Sequence, residues 1–433
     1  MLLKNQQPAQ NSSLVLRLQK TEETRPFAVF SVCAGNSGRG LFFLLPGRRL
    51  FYRRRFILER FLEYFAGGPG SMTWQNFVMI GIGCVLIFLA IHKKYEPMLL
   101  LPIGFGAILV NLPLAVVLGT AEEPGALKIL FDCGIMTELF PLLIFIGVGA
   151  MIDFKPLLER PWLLVFGLVA HLGIFVAAAM AYFVFGFTLK EALSIGIIGA
   201  ADGPTAIVVA SRNARHLLGS ITVAAYSYMS LVPIILPPVI KLLTTKKERT
   251  IRIAAKNRNI SRRVMIIFPI AVTVAVSVFI PQAAALIGFL MFGNLLKESG
   301  VVEKLSAAAR NELSNIVTLL LGISTGACMT AESFLTTQTL LVLLLGLIAF
   351  VADTVCGVLF AKFLNLFRKK GCKLNPMIGA CGISAFPMAS RTVQKMALEE
   401  DNQNFILMHA VSANVSGQIG SLIIGGLILN LLF

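Results

Sequence analysis

The sequence predicts an all-α, polytopic membrane protein, and three observations carry that prediction. Of its 433 residues 56% are hydrophobic and 14% charged, against about a quarter charged in a soluble domain. From Asn76 onward, apolar runs recur that are long enough to cross roughly 30 Å of hydrocarbon. Lys and Arg gather in the short stretches between these runs, most densely in TTKKERTIRIAAKNRNISRR (Thr244 to Arg263). That placement is the mark of cytoplasmic loops, so the net charge of +16 indicates topology rather than nucleic-acid binding. The seven cysteines form no CxxC pair and have no His at metal-ligand spacing, which excludes a zinc site or a disulfide framework from the expectations.

Residues 1–71 read differently. They carry eleven Lys or Arg against four Glu, with an arginine run at 48–55, no membrane-length span and no secretory signal pattern. The membrane pattern begins at Met72, in MTWQNFVMIGIGCVLIFLAI. Two readings of 1–71 stay open: an extension upstream of the biological start, or a basic disordered tail.

Within the membrane part, candidate segments fall at 77–92, 97–118, 128–151, 162–187, 190–210 and 217–243, then, past the basic loop 244–263, at 264–280, 282–296, 312–329, 335–363, 376–395 and 403–432. The two sets resemble each other. GAMIDFKPLL at Gly149 resembles GACMTAESFL at Gly326, GAADGPTAIVVASR at Gly199 resembles GACGISAFPMASR at Gly379, and FGAIL at Phe105 resembles FGNLL at Phe292. The order is the same and the offsets are nearly equal, so a duplication is expected, with repeats at 72–243 and 264–433. Six crossings in the first repeat would place the basic loop outside, against its charge. The conflict disappears if 190–210 enters and returns on one side, where Gly203 tolerates a turn and Pro204 leaves no amide unpaired. The same correction at 376–395, which contains Gly379, Gly382 and Pro387, leaves about five crossings per repeat. An odd number inverts the second repeat relative to the first, and interrupted segments at matching positions point to a transporter's binding site near mid-membrane.

Asp202-Gly203-Pro204-Thr205 interrupts an otherwise apolar run. Placing the aspartate there costs roughly 2.5–3.5 kcal/mol on insertion scales, and freed carbonyls are tolerable only against protein or a wet cavity. A carboxylate, a hydroxyl and carbonyl oxygens make a ligand set for a hard cation, so Na+ or a proton is expected. The competing reading is an aspartate buried for packing.

GIIGAADGPTAI (Gly196 to Ile207) resembles the signature of the membrane-bound β subunit of sodium-pumping biotin-dependent decarboxylases. That family covers the oxaloacetate, methylmalonyl-CoA, glutaconyl-CoA and malonate enzymes. KKYEPMLLLPIGFGAILVN, FIGVGAMIDFKPLL, VAAYSYMSLVP, FGNLLKESGVVEKLS, NPMIGACGISAFPMASR and QNFILMHAVSANVSGQIGS extend the resemblance over almost everything after Met72. The resemblance implies that Asp202 is the central Na+ and proton site, with Thr205 in the same motif, and that Tyr228 takes part in coupling or proton delivery. It further implies roles for Asn375, Gly379, Ser384 and Arg391 of the second break and for Asn414 of the following NVxG stretch. Of these, Asn375, Gly379, Ser384 and Asn414 are expected with Asp202 and Thr205 around Na+, and Arg391 and Ser384 at the carboxybiotin. Departures are small: the usual Gly-Gly before Ala-Asp is Gly199-Ala200, and the NVxG neighbourhood reads VSANVSG.

The implied partners are a biotin carboxyl carrier, a carboxyltransferase and a small membrane subunit in the bacterial cytoplasmic membrane, with a homo-oligomer possible within the complex. The chain has no biotin-accepting AMKM-like stretch of its own. Two other classes compete: a stand-alone sodium/proton antiporter or sodium-coupled carboxylate transporter, and a non-catalytic anchor. Asp353 is a second intramembrane acid, equally a helix-contact group or a relay; His171 is expected to pack; Glu138 and Asp153 are expected at the interface.

Overall fold

The computed structural model describes residues 72–94, 97–113, 117–119, 123–253, 259–369 and 373–431. The expected extension 1–71 lies outside the described residues. The first half contains α1 (Trp74–His92), α2 (Pro97–Val110), a helix pair bent by 61° that ends in α3 (Leu139–Met151), α4 (Leu164–Ala170), α5 (Leu172–Phe183), α6 (Leu189–Gly196), α7 (Gly203–Asn213) and α8 (Leu218–Leu243). The second half contains α9 (Arg262–Phe279), α10 (Ala284–Ser299), α11 (Ser314–Gly326), α12 (Thr337–Leu366), α13 (Met388–Glu400) and α14 (Leu407–Leu431). Among the described residues six helices are long and apolar enough to cross a membrane, or seven if the bent pair counts as one span.

That number falls short of five per half because α2, α10 and α11 are shorter than a full span and the segment ending in α3 is bent. Segment 128–151 breaks before α3 at Glu138, whose φ of 63° is left-handed. Segment 162–187 divides at His171, between α4 and α5. Segment 190–210 becomes α6, a tight turn at Ile197–Ala200, and α7; segment 376–395 becomes a tight turn at Pro376–Gly382 and α13. Both segments are interrupted as expected, but in the first the left-handed turn falls at Ala201, and Gly203 and Pro204 open α7 instead.

Element order is similar in the two halves: each ends with a tight turn, a short helix and a long one. The packing respects the same correspondence. α2 lies on α11 while α10 lies on α3, and α8 lies on α12 while α14 lies on α4. The closest of these contacts join the repeated motifs. A Cβ at Gly149 would sit 1.9 Å from the Leu290 carbonyl oxygen, and one at Gly293 would sit 2.0 Å from that of Ile146. Across the other pair, Cβ atoms at Gly106 and Gly326 would sit 2.6 Å from the Ile323 oxygen and 2.7 Å from the Ile103 oxygen. Small residues let membrane helices approach to backbone contact, and here FGAIL meets GACMTA as FGNLL meets GAMIDF.

Burial separates the helices by role. In the most apolar stretch of α9 only 6% of residues are buried and in α1 17%, whereas in α14 the share is 83%. In α7 every residue from Gly203 to Ser211 is buried. The centre of the molecule is therefore the second interrupted helix of the first half and the last helix of the second.

Candidate functional site

Ala201 turns the chain at the first break with a left-handed φ of 53°, a conformation that costs roughly 1–2 kcal/mol for a residue with a Cβ. The turn leaves Asp202 in extended geometry as the N-terminal cap of α7. Its Oδ1 faces the Thr205 amide at 3.5 Å, and its Oδ2 accepts from the Thr205 hydroxyl at 2.8 Å. Oδ2 also accepts from Gln418 Nε2 at 3.1 Å and from the Ser421 hydroxyl at 2.7 Å. Asp202 is 4% exposed. No Lys or Arg is among its hydrogen-bond donors, so its negative charge is met by neutral donors and by the positive end of α7.

The second break packs against the same helix that supplies Gln418 and Ser421. Asn414 Nδ2 donates to the Ile383 carbonyl at 2.7 Å, and the Ser384 hydroxyl donates to the Gly417 carbonyl at 2.9 Å. The Ser384 amide donates to the Ala200 carbonyl at 2.9 Å, so the two breaks touch through their backbones. Asn414 Oδ1 is buried with no hydrogen-bond partner. One face of α14 therefore ties both breaks together within two turns.

The structure does not gather all the sequence-predicted residues. Asp202 and Thr205 share the pocket, and Ser384 and Asn414 sit at the adjoining break. Gly379 packs on α12, where its Cβ would lie 2.1 Å from the Gly357 oxygen. Asn375 holds a strap: its Nδ2 donates to the carbonyls of Arg249 at 2.7 Å and Ile251 at 3.1 Å. The strap is the start of the basic loop, also held by Arg249–Glu400 at 2.7 Å and Arg252–Asp401 at 2.7 Å. Tyr228 donates its hydroxyl to the Leu343 carbonyl. Arg391 is exposed and lines a cavity of about 430 Å³ with Gln394, Lys395, Leu398, Glu399 and Leu407. Glu138, expected at the interface, is buried and forked by Arg212 at 2.5 and 3.0 Å.

Sequence reasoning missed three groups. Gln418 and Ser421 lie within the quoted stretch QNFILMHAVSANVSGQIGS, and their spacing of three in an apolar helix was the available signal. Tyr226, rather than Tyr228, lies against the first break: a Cβ on Gly203 would fall 2.2 Å from its ring, and its buried hydroxyl has no partner.

What this pocket can do follows from its donors. Hydroxyls offer both a proton and lone pairs, so Thr205 and Ser421 can serve a protonated or ionised carboxyl, or turn their oxygens to a cation. The Gln418 amide can present its oxygen by the same kind of rotation.

Comparison with known proteins identifies the family of the chain. Residues 75–432 match the family model described as Na+-transporting oxaloacetate decarboxylase beta subunit. The chain is 49% identical to the glutaconyl-CoA decarboxylase subunit beta of Acidaminococcus fermentans, over 83% of this chain and 94% of the relative. It is 46% identical to the methylmalonyl-CoA decarboxylase subunit beta of Propionigenium modestum, over 87% of this chain and 100% of the relative. It is 44% identical to the oxaloacetate decarboxylase beta chain of Klebsiella pneumoniae, over 81% and 94%. With its membrane-length helices and matching coverage, the chain belongs to the family of Na+-transporting decarboxylase beta subunits.

Proposed function

We propose that this chain removes carbon dioxide from carboxybiotin presented by a partner carrier subunit and couples that step to outward Na+ movement, with uptake of one proton by the biotin ring. The observation that carries the reading is Asp202: a buried carboxylate at the start of an interrupted helix, ringed by Thr205, Gln418 and Ser421 where two breaks meet. Na+ is cargo here, and the oxygens of those four side chains are its ligands during transit. Ser384 and Asn414 hold the second break against α14, so movement at either break alters the pocket.

Carboxybiotin carries a carboxylate, and Arg391, one turn into α13, presents a planar fork of donors from the wall of an open cavity. When the nitrogen–carboxyl bond breaks, its electron pair remains on the ring nitrogen, which then takes a proton. Tyr228 is the candidate donor or relay from the sequence, and Tyr226 is the phenol next to Asp202. α13 begins directly after the break whose Ser384 amide bonds to Ala200. Loss of charge at Arg391 is therefore linked to Asp202 through a single hydrogen-bonded contact. An inverted relation of the two halves accounts for their exchanged packing and gives the pathway two faces. A carboxyltransferase, a biotin carrier and a small membrane subunit complete the complex in the cytoplasmic membrane.

The test uses the assembled complex in proteoliposomes, following carbon dioxide release from free carboxybiotin and sodium-22 uptake together. Wild-type protein is expected to show sodium-dependent release and uptake, both lost in Asp202→Asn. Full coupled activity in that variant would refute the scheme. Sodium movement driven by a pH gradient with no decarboxylation would identify a stand-alone sodium/proton antiporter instead.

A further inference from the structure

A second buried acid lies between the two breaks. Asp353 is 0% exposed, and neither carboxylate oxygen has a hydrogen-bond partner. It sits near the middle of the 30-residue α12, which at about 1.5 Å per residue spans the hydrocarbon. One turn before it, Ala349 packs on the first break, where a Cβ on Gly199 would lie 2.8 Å away. One turn after it, Gly357 packs on Gly379 of the second. On its own level Asp353 meets the start of α5: a Cβ on Gly173 would fall 2.3 Å from its Oδ1. The amides of Gly173 and Ile174 face the carboxylate without closing a hydrogen bond.

His171, two residues before Gly173, is also 0% exposed. Its Nδ1 pairs with the Gly167 carbonyl. A carbonyl only accepts, so Nδ1 carries the hydrogen and Nε2 of the neutral ring is an acceptor. Nε2 has no partner. His171 Nδ1 also lies 3.2 Å from the position of a Cβ on Gly420, next to the Ser421 that donates to Asp202. Behind the Asp202 pocket, the two Asp353 oxygens face only backbone amides that do not close a hydrogen bond, and His171 Nε2 has no partner. Buried acceptors left unpaired cost free energy, and an ionised carboxylate left so costs more. Nitrogen is a poor ligand for a hard cation such as Na+. What the set lacks is a proton.

We propose that Asp353, with His171 two residues from the glycine it meets, is a proton-binding station in mid-membrane that exchanges protons with the Asp202 site. The proposal rests on the cation reading of Asp202. A proton leaving Asp202 as Na+ binds is taken by an Asp353 oxygen or by His171 Nε2, and it returns when Na+ leaves; no other reactant is needed. Other titratable groups around α12 include Cys356, one turn on, Tyr228, whose ring packs at Gly346, Cys381 at the second break, and, toward the C-terminal end of the helix, Lys362 paired with Glu248 at 3.2 Å.

The test is infrared difference spectroscopy on the full chain reconstituted in lipid, with steps of pH and, separately, of Na+. Wild-type protein is expected to show a protonated-carboxyl band, shifted in heavy water, that changes with pH and disappears in Asp353→Asn. Asp353→Glu should move the band without removing it, which covers failure of the asparagine variant to fold. The band should persist in Asp202→Asn but no longer respond to Na+. A band unmoved by either Asp353 substitution, or present yet indifferent to pH, overturns the proposal. So does a direct response to Na+ in Asp202→Asn, which would make Asp353 a sodium ligand. A wild-type band that follows pH but ignores Na+ while the protein still binds sodium-22 overturns the exchange; the same band with no sodium-22 binding removes the cation reading of Asp202 instead.

Discussion

The two interrupted segments descend from one pattern yet end in opposite states. In the first, Asp202 caps α7 with its own carboxylate, residues Gly203 to Ser211 are buried, and Arg212 near the far end is locked to Glu138. In the second, Pro387 begins α13 without a side-chain cap, and Arg391 is exposed over an open cavity. The arginines of VVASR and PMASR thus sit differently: one closes an ion pair with Glu138, the other is exposed over a cavity. The difference teaches that two similar stretches can share a helix interruption while burial divides their chemistry. The buried copy holds charge; the exposed copy presents it.

The largest expected effect that would break this division is at the buried acid. Asp202→Asn should weaken Na+ binding by roughly 3 kcal/mol, about 100-fold, whereas Ser384→Ala, which loses one hydrogen bond to the Gly417 carbonyl, should cost roughly 1 kcal/mol, about fivefold. Equal losses, measured as sodium-22 binding to purified complex, would erase the distinction between the breaks.

Arg391→Ala comes next. Loss of a charge-assisted contact of about 1.5–3 kcal/mol should raise KM for free carboxybiotin by roughly 10- to 100-fold while Na+ affinity stays put. Arg391→Lys should recover only part, because an ammonium cannot reproduce the planar fork. A matched fall in Na+ affinity would place Arg391 in the ion site instead.

For the paired copy, Arg212→Ala should act on stability. It leaves Glu138 buried without its partner, but Arg212 itself is 41% exposed, so the cost is discounted to about 1–2 kcal/mol. Thermal unfolding in detergent should register the loss, with KM for carboxybiotin unchanged; a raised KM would make both arginines substrate groups.

The smallest effect concerns the strap over the second break. The hydrogen bond and charge of Arg252 hold the Asp401 carboxyl below its usual 3.8. A folded value below the unfolded one means the contribution is present above about pH 4 and lost as pH falls through the folded value. Limited proteolysis of the 244–253 region should therefore accelerate below pH 4 in wild-type protein and be already faster at pH 7 in Arg252→Gln. Identical digestion of the two at neutral pH would remove the strap from the account.

Much of this was legible from residue order. Gly203-Pro204 and the cluster Gly379, Gly382 and Pro387 announced both breaks, because a missing amide and a missing Cβ are local facts about the backbone. Asp202 announced a buried polar site, because its solvation cost in the membrane does not depend on which helix lies opposite. The resemblance carried Asn375 into the ion site as a ligand; the structure has its amide fastening Arg249 and Ile251 carbonyls. Nothing local distinguishes those uses, since an asparagine amide serves either.

What the sequence alone determined is the class and the two breaks, which follow from hydropathy, charge placement and backbone permissions read along the chain. Tertiary packing decided which polar groups meet. Gln418 and Ser421 reach Asp202 from more than 200 positions away, and Arg212 meets Glu138 across a bend. The physical reason is that a helix period sets which side chains share a face, but only the approach of another helix, here through contacts as close as Gly149 on Leu290, decides what that face touches.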